Sequence, residues 1–99
     1  MQLMNKSLER KFQKTGKQDI EDPIVIAKFF NPIGRGTWFA TKYDPISKVF
    51  FGLVHLLEKE WGYFSLEELE NVKLRFPWSH GLGIERDRYF EPTPVSELT

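Results

Sequence analysis

The residues best suited to do chemistry lie together near the C-terminal end, in the run Glu85-Arg86-Asp87-Arg88-Tyr89. If this run is a strand, its two carboxylates and the tyrosine share one face and its two arginines share the other. Neighbouring carboxylates can carry acid–base chemistry, or can line a polar pocket in which an arginine binds an anion. The competing interpretation is an edge strand whose charges prevent association between sheets, and we favour it because no nucleophile lies nearby.

The remaining candidates for catalysis are isolated. His55 follows an apolar run and is expected to be partly buried, and His80 lies in a glycine-containing loop. A zinc site needs further ligands at suitable spacing, and the chain has no cysteine. We therefore expect no enzyme, no metal and no cofactor, with a small hydrolase built on Glu85, Asp87 and His55 as the least favoured alternative.

The segment Gly34-Arg35-Gly36 lies between two predicted strands. It lacks the Lys-Ser/Thr pair of a phosphate-binding loop and does not lead into a helix, so it predicts a hairpin turn. Arg35 stands at the tip of that turn, where binding groups are often found.

Four strands are predicted to position these residues, over 24–30, 37–43, 49–54 and 84–90. The run 49–54 has no polar member, which is typical of a central strand covered on both faces. Gly52 within it indicates a bulge or a close approach of two backbones. Phe51 is expected to be a core residue.

A second helix is predicted from Leu66 to Val72 or Lys73. Ser65 and Glu68 have the spacing of a capping box, and Phe64 and Leu69 have the spacing of a hydrophobic staple.

An amphipathic helix is predicted within residues 1–17. Leu8 and Phe12 share one face, Asn5 or Ser7 can cap its start, and Gly16 can end it. Its other face is basic, through Lys6, Arg10, Lys11 and Lys14. This face is either simply solvated or a docking patch for nucleic acid.

The composition describes a small domain without a strong overall field. The chain has 99 residues, with 14 basic residues balanced by 14 acidic ones. No apolar run has the roughly 18–20 residues of a membrane span, so we expect a cytoplasmic protein. The aromatic content is 15%, which predicts an aromatic core with a few rings left on an exposed sheet face as a stacking platform or interface patch.

Five ordered blocks carry a family resemblance, namely 27–30, 37–41, 50–54, 60–70 and 84–87 with 89–90. Together they resemble a bacterial domain-of-unknown-function family, number 2958. The resemblance implies a small single-domain protein carried by plasmids, integrative elements or phages in a bacterial host cell. It implies no reaction, cofactor or catalytic residue.

We therefore expect one α+β domain over residues 1–99, with a basic helix at 1–17 and a core at 24–90. Its fold should be a three- or four-stranded, mainly antiparallel sheet with two short helices packed on it.

The expected function is a non-enzymatic interaction protein that binds and inhibits a host protein, such as a CRISPR or restriction component. Its candidate contact residues are Arg35, Trp38, Arg86 and Arg88. The alternative is a nucleic-acid-binding accessory protein that uses Lys6, Arg10, Lys11 and Lys14 with exposed aromatics such as Trp38 and Tyr43.

Overall fold

The structure is a computed structural model that describes residues 3–15, 18, 21–72 and 83–98. Its elements are, in chain order, α1 (Lys6–Thr15), β1 (Ile24–Val25), β2 (Ala27–Phe30), β3 (Thr37–Asp44), β4 (Val49–His55), β5 (Lys59–Ser65), α2 (Leu66–Asn71), β6 (Glu85–Arg86), β7 (Thr93–Pro94) and a 3₁₀ helix (Val95–Glu97). The predicted α+β class is confirmed. The strands are more numerous than predicted.

The described strands form two antiparallel sheets. The larger has five strands in the order β5-β4-β3-β2-β6, and the smaller pairs β1 with β7. Strands that are neighbours in the larger sheet are also consecutive along the chain, except β2 and β6. Most of the strand pairs are therefore joined by hairpin turns.

The prediction of four uninterrupted strands is wrong in three places. The predicted strand 24–30 divides at Ile26, because Ile24–Val25 pairs with the C-terminal segment whereas Ala27–Phe30 pairs with β3 and β6. The predicted strand 84–90 pairs only over Glu85–Arg86. The strand Lys59–Ser65 was absent from the prediction, and it forms one edge of the sheet.

The core lies between the inner face of the large sheet and the two helices. Leu8 and Phe12 of α1 and Leu66 and Leu69 of α2 are buried in it. The sheet contributes aromatic and small residues to the same cluster, among them Phe29, Ala40, Phe50 and Phe64. Of the two predicted capping residues, Asn5 and Ser7, it is Asn5 that caps α1, because its Oδ1 accepts the backbone N–H of Leu8 at 2.8 Å. The predicted cap at Gly16 lies outside the described residues.

A second, smaller cluster covers part of the outer face. Val25, Leu53 and Val95 are buried there, with Phe39 and Phe90 packed against them. The C-terminal segment therefore covers the middle of the sheet and leaves the β5 edge open. As a result β4 is buried on both faces only in part. Phe50 faces the core, whereas Phe51, predicted as a core residue, is half-buried on the outer face.

Two local details confirm predictions from the sequence. Ser65 caps α2, since its Oγ accepts the backbone N–H of Glu68 at 2.9 Å. Gly52 lies opposite a register shift between Ala40 and Lys42, and a Cβ at Gly52 would stand 1.9 Å from the carbonyl oxygen of Phe39.

Replacing the cap residue should weaken α2. Ser65→Ala is expected to lower the free energy of unfolding by about 1 kcal/mol, because the amide of Glu68 loses its side-chain acceptor. Chemical denaturation measures the change. Ser7→Ala, at an exposed position of α1, is the control and should show no comparable loss; equal stability of both variants would contradict the capping role.

The two glycines of the β4–β5 pair give opposite expectations. Gly52→Ala should cost about 3 kcal/mol, because its Cβ has no room beside the Phe39 carbonyl. Gly62→Ala, directly across from Gly52, should cost nothing, since its Cβ would have no atom within 4 Å. Thermal melts of the two variants test this; similar melting temperatures would refute the close approach at Gly52.

Candidate functional site

Among the described residues, the most distinctive feature of the surface is a group of aromatic side chains on the outer face of β4 and β5. Phe51 lies directly across from Tyr63 in the register, and Leu53 lies across from Trp61. Residues opposite each other in an antiparallel pair project to the same face. Trp61 is 45% exposed and Tyr63 is 78% exposed. We call Phe51, Trp61 and Tyr63, with the neighbouring Lys42, the aromatic surface.

The rings of the aromatic surface contact one another. Phe51 and Trp61 are stacked, with ring centroids 5.9 Å apart and planes inclined by 17°. Tyr63 meets Phe51 edge-on at 4.9 Å. The Lys42 Nζ lies 5.8 Å from the centroid of the Phe51 ring, within the range of a cation–π contact. These contacts restrain the rings while leaving Trp61 and Tyr63 accessible to a partner.

The sequence of β5 places these rings by simple alternation. Lys59, Trp61 and Tyr63 occupy every second position and so lie on the outer face, while Phe64 belongs to the core. The sequence prediction lacks this strand, because its first two residues, Lys59 and Glu60, are charged and its end runs directly into the capping signals of α2. The alternation of aromatic residues at 61 and 63 with Gly62 was the signal that could have identified it.

The four predicted contact residues have different environments. Arg35 is exposed in the turn between β2 and β3, as expected. Trp38 is half-buried and packs against the core, so it is not an exposed anchor. Arg86 is half-buried in β6, and Arg88 is exposed beyond the end of that strand. The structure therefore corrects the prediction that the two arginines share a strand face.

Trp38 and Arg86 are nevertheless near each other. Both pair with Phe29, one on either side, so they lie in one row across β3, β2 and β6. Their backbones are thus separated by two strand spacings, about 10 Å. This row lies away from the aromatic surface, which is at the β5 edge.

Asp87 organises a turn. Its backbone N–H donates to the carbonyl of Lys28, its Oδ1 accepts the N–H of Tyr89 at 3.0 Å, and its carbonyl accepts the N–H of Phe90. Beside it, Glu85 and Tyr89 line an open cavity of about 430 Å³ that also holds both arginines of the run. These residues therefore line a shallow depression of mixed charge, together with Lys28 and Phe30.

The residues proposed for a hydrolase do not converge. His55 was expected to be partly buried, but it is exposed at the end of β4. In the sheet register, His55 of β4 is opposite Thr37 of β3. Thr37 is opposite Phe30 of β2, and Phe30 is opposite Glu85 of β6. Three strand spacings, about 14 Å, therefore separate His55 from Glu85.

Among the residues that the structure describes, no group of three or more His, Cys, Asp or Glu side chains could hold a metal ion. His80 lies outside them.

Two side chains at the end of β3 have shifted acidities. Burial raises the pKa of Tyr43, and nearby carboxylates, Glu9 first, raise it further. The backbone N–H of Ile46 and the hydroxyl of Ser47 lower the pKa of Asp44. Both shifts move the pKa further from pH 7. Tyr43 therefore stays protonated and Asp44 stays ionised near pH 7. Neither group is poised for proton transfer near pH 7.

Tyr43 also packs against the core, so it is not the exposed aromatic expected for nucleic-acid binding.

The basic residues of α1 lie on the other side of the molecule. Lys6, Arg10, Lys11 and Lys14 are all exposed, as predicted. The buried face of α1, however, packs on the inner face of the sheet: Phe12 contacts Tyr43 and Phe50. The sheet therefore separates these cations from the aromatic surface.

Comparison with known proteins gives a family and nothing more. A family model described as "Protein of unknown function (DUF2958)" matches residues 1–98. No curated protein and no solved structure matches the chain. Within the described ranges, no helix is both long and apolar enough to cross a membrane.

Proposed function

The chain belongs to the DUF2958 family, and on that premise we propose that it is a non-catalytic binding protein whose aromatic surface contacts another protein. The observation that carries the proposal is the exposure of Trp61 and Tyr63 on an open sheet face. Trp and Tyr are the residues that most often dominate the energy of protein interfaces. Large exposed rings cost a chain solubility, so a cluster of them is typical of a binding site.

A second apolar area lies at the turn between β4 and β5. It is separate from the three rings, because two of its lining residues, Val54 and Glu60, occupy inner-face positions. Leu57, in the turn between β4 and β5, is 83% exposed, and Leu56 beside it is 49% exposed. Glu58 and Glu60 border these leucines and line a cavity of about 360 Å³ with them. An apolar centre with charged groups at its border is the usual anatomy of a protein interface.

The specific form of the proposal is an inhibitor carried by a mobile element or phage that covers a surface of a host defence protein. The CRISPR and restriction systems supply the candidate partners. This form follows from the family resemblance and requires no chemistry from the chain. Blocking a surface needs only affinity, and a few buried anchors can supply it. Trp61 and Tyr63 replace Trp38 as the proposed anchors. Arg35 and Arg88 are exposed, but they lie in the β2–β3 turn and beyond β6, outside the aromatic surface.

Binding should depend on the aromatic surface and not on exposed aromatics in general. The assay measures capture of purified restriction and CRISPR components by the immobilised chain. Trp61→Ala and Tyr63→Ala are each expected to weaken capture roughly 30-fold, the equivalent of about 2 kcal/mol at an interface anchor. Both variants should lower the melting temperature far less than a core truncation would, because neither ring lies in the core and each loses only its contact with Phe51.

The matched control is Tyr89→Ala. Tyr89 is 93% exposed, but it follows β6 at the opposite edge of the sheet. It should capture the partner like the parent chain. If Tyr89→Ala or Arg88→Ala abolishes capture and Tyr63→Ala does not, the site is the cavity beside Asp87 and the aromatic surface has no role in binding.

Nucleic-acid binding is the second candidate, favoured by the four exposed cations of α1 and by Lys42 beside Phe51. A bound single strand could stack bases on Trp61 and Tyr63, but α1 lies across the sheet from them. Binding through α1 would therefore be mainly electrostatic.

This candidate has its own readout. In oligonucleotide titrations at several salt concentrations, Lys11→Glu with Lys14→Glu should weaken binding and reduce the salt slope by about one for each lost phosphate contact. Trp61→Ala should leave the slope unchanged, since it removes no charge. Absence of any complex at low salt would eliminate nucleic acid as the ligand.

A further inference from the structure

The outer edge of β5 is the longest unpaired strand edge in the described part of the chain. Within that part, β5 pairs only with β4, over all seven of its residues and without a bulge. Natural edge strands are usually protected by proline, bulges or inward-pointing charge. This one has neither proline nor bulge. Its charges are Lys59 on the outer face and Glu60 on the inner face, both at the start of the strand, so residues 61–65 carry none of these protections.

The hydrogen bonds at the two ends of the β4–β5 pair show which backbone groups face outward. The N–H of Leu66 donates to the carbonyl of Lys48, and the N–H of Leu56 donates to the carbonyl of Glu58. Both bonds continue the register of the strands between them.

Hydrogen-bonded and non-hydrogen-bonded pairs alternate in an antiparallel ladder. The pair Gly52–Gly62 is therefore hydrogen-bonded, and the pairs of Trp61 and Tyr63 with β4 are not. The N–H and C=O groups of Trp61 and Tyr63 consequently point away from the sheet, as do those of Lys59 and the N–H of Ser65, whereas the Ser65 carbonyl belongs to the first turn of α2.

We propose that this edge pairs with the same edge of a second copy of the chain, β5 against β5, in an antiparallel dimer whose two-fold axis passes beside Gly62. This register pairs every residue of the strand and sets outward-facing backbone groups opposite one another. A two-fold axis requires the surface to be complementary to itself, and the sequence of β5 meets that requirement.

The aromatic pairs that this register creates are favourable. Trp61 lies opposite Tyr63 of the second copy, and the reciprocal pair forms across the axis, which gives the aromatic cross-strand contacts that stabilise sheets. Lys59 lies opposite Ser65, and Glu60 lies opposite Phe64, so no like charges face each other. The two aromatic surfaces become one continuous surface on the outer face of a ten-stranded sheet.

Gly62 sits at the centre of this arrangement. It would face its own copy in a non-hydrogen-bonded pair, where the Cα atoms are about 4.5 Å apart. That separation lies within the range that a disulfide can span. A Cβ at this position would meet no atom within 4 Å in the single chain, so a substitution can be introduced here without a backbone clash and reports on the dimer.

Crosslinking gives the sharpest test. The chain has no cysteine, so Gly62→Cys introduces one thiol per molecule. Under mild oxidation, most of this variant should become a covalent dimer at low protein concentration. Ile46→Cys is the control: position 46 is 93% exposed, in the turn between β3 and β4, and should crosslink only slowly. Equal rates for the two cysteines would indicate random collision and would overturn the proposal.

The solution mass of the unmodified chain provides the second test. Light scattering over a concentration series should show a dimer for the parent and for Gly62→Gln. Gly62→Glu differs from Gly62→Gln by a charge that would meet its own copy, and should dissociate at least about tenfold more readily. A parent chain that is monomeric throughout, or a dimer that Gly62→Glu leaves unchanged, would overturn the proposal.

The dimer and the proposed binding role can fail separately. Gly62→Glu changes the inner face and leaves Trp61 and Tyr63 in place. A monomeric chain that still captures its partner refutes only the dimer. A dimer that captures nothing refutes only the binding role.

Discussion

The fold depends on the packing around one side chain, Phe50. Its ring lies 5.9 Å from that of Phe12 in α1, 5.1 Å from Phe29 in β2, 4.7 Å from Tyr43 in β3 and 5.2 Å from Phe64 in β5. One residue of β4 therefore joins the N-terminal helix to three other strands. Each aromatic side chain buries on the order of 150–250 Å², so this cluster supplies much of the apolar burial that so small a domain can achieve.

The position of Phe50 decides the position of the aromatic surface. Successive side chains of a strand alternate between faces, so burial of Phe50 forces Phe51 outward. The register with β5 then fixes Phe64 inside, opposite Phe50, and Tyr63 outside, opposite Phe51. A slip of one residue would exchange the two sets and expose the core. The open rings are thus a direct consequence of the same pairing that builds the interior.

The last described residues cover one part of the outer face of the sheet and leave the rest exposed. The backbone N–H of Val95 donates to the carbonyl of Pro23, and the N–H of Ser96 donates to Asp22. These bonds hold the C-terminal segment beside β1, where Val95 covers Leu53. The cover ends before β5, which leaves the aromatic surface open. The basic residues of α1 lie on the inner side of the sheet, opposite the aromatic surface. The molecule therefore has a basic side and an aromatic side although its net charge is zero.

The sequence alone determined the local features of this protein. The capping residues Asn5 and Ser65, the buried face of α1 and the close approach at Gly52 were all predictable, because each depends on residues near one another in the chain or on the steric limits of one residue type. The tertiary structure alone decided which aromatics are exposed. Trp38 and Trp61 are chemically alike, but Trp38 packs against the core and Trp61 lies on an uncovered face at the edge. That difference depends on strand order and on where the C-terminal segment docks, which are long-range contacts that no local pattern encodes.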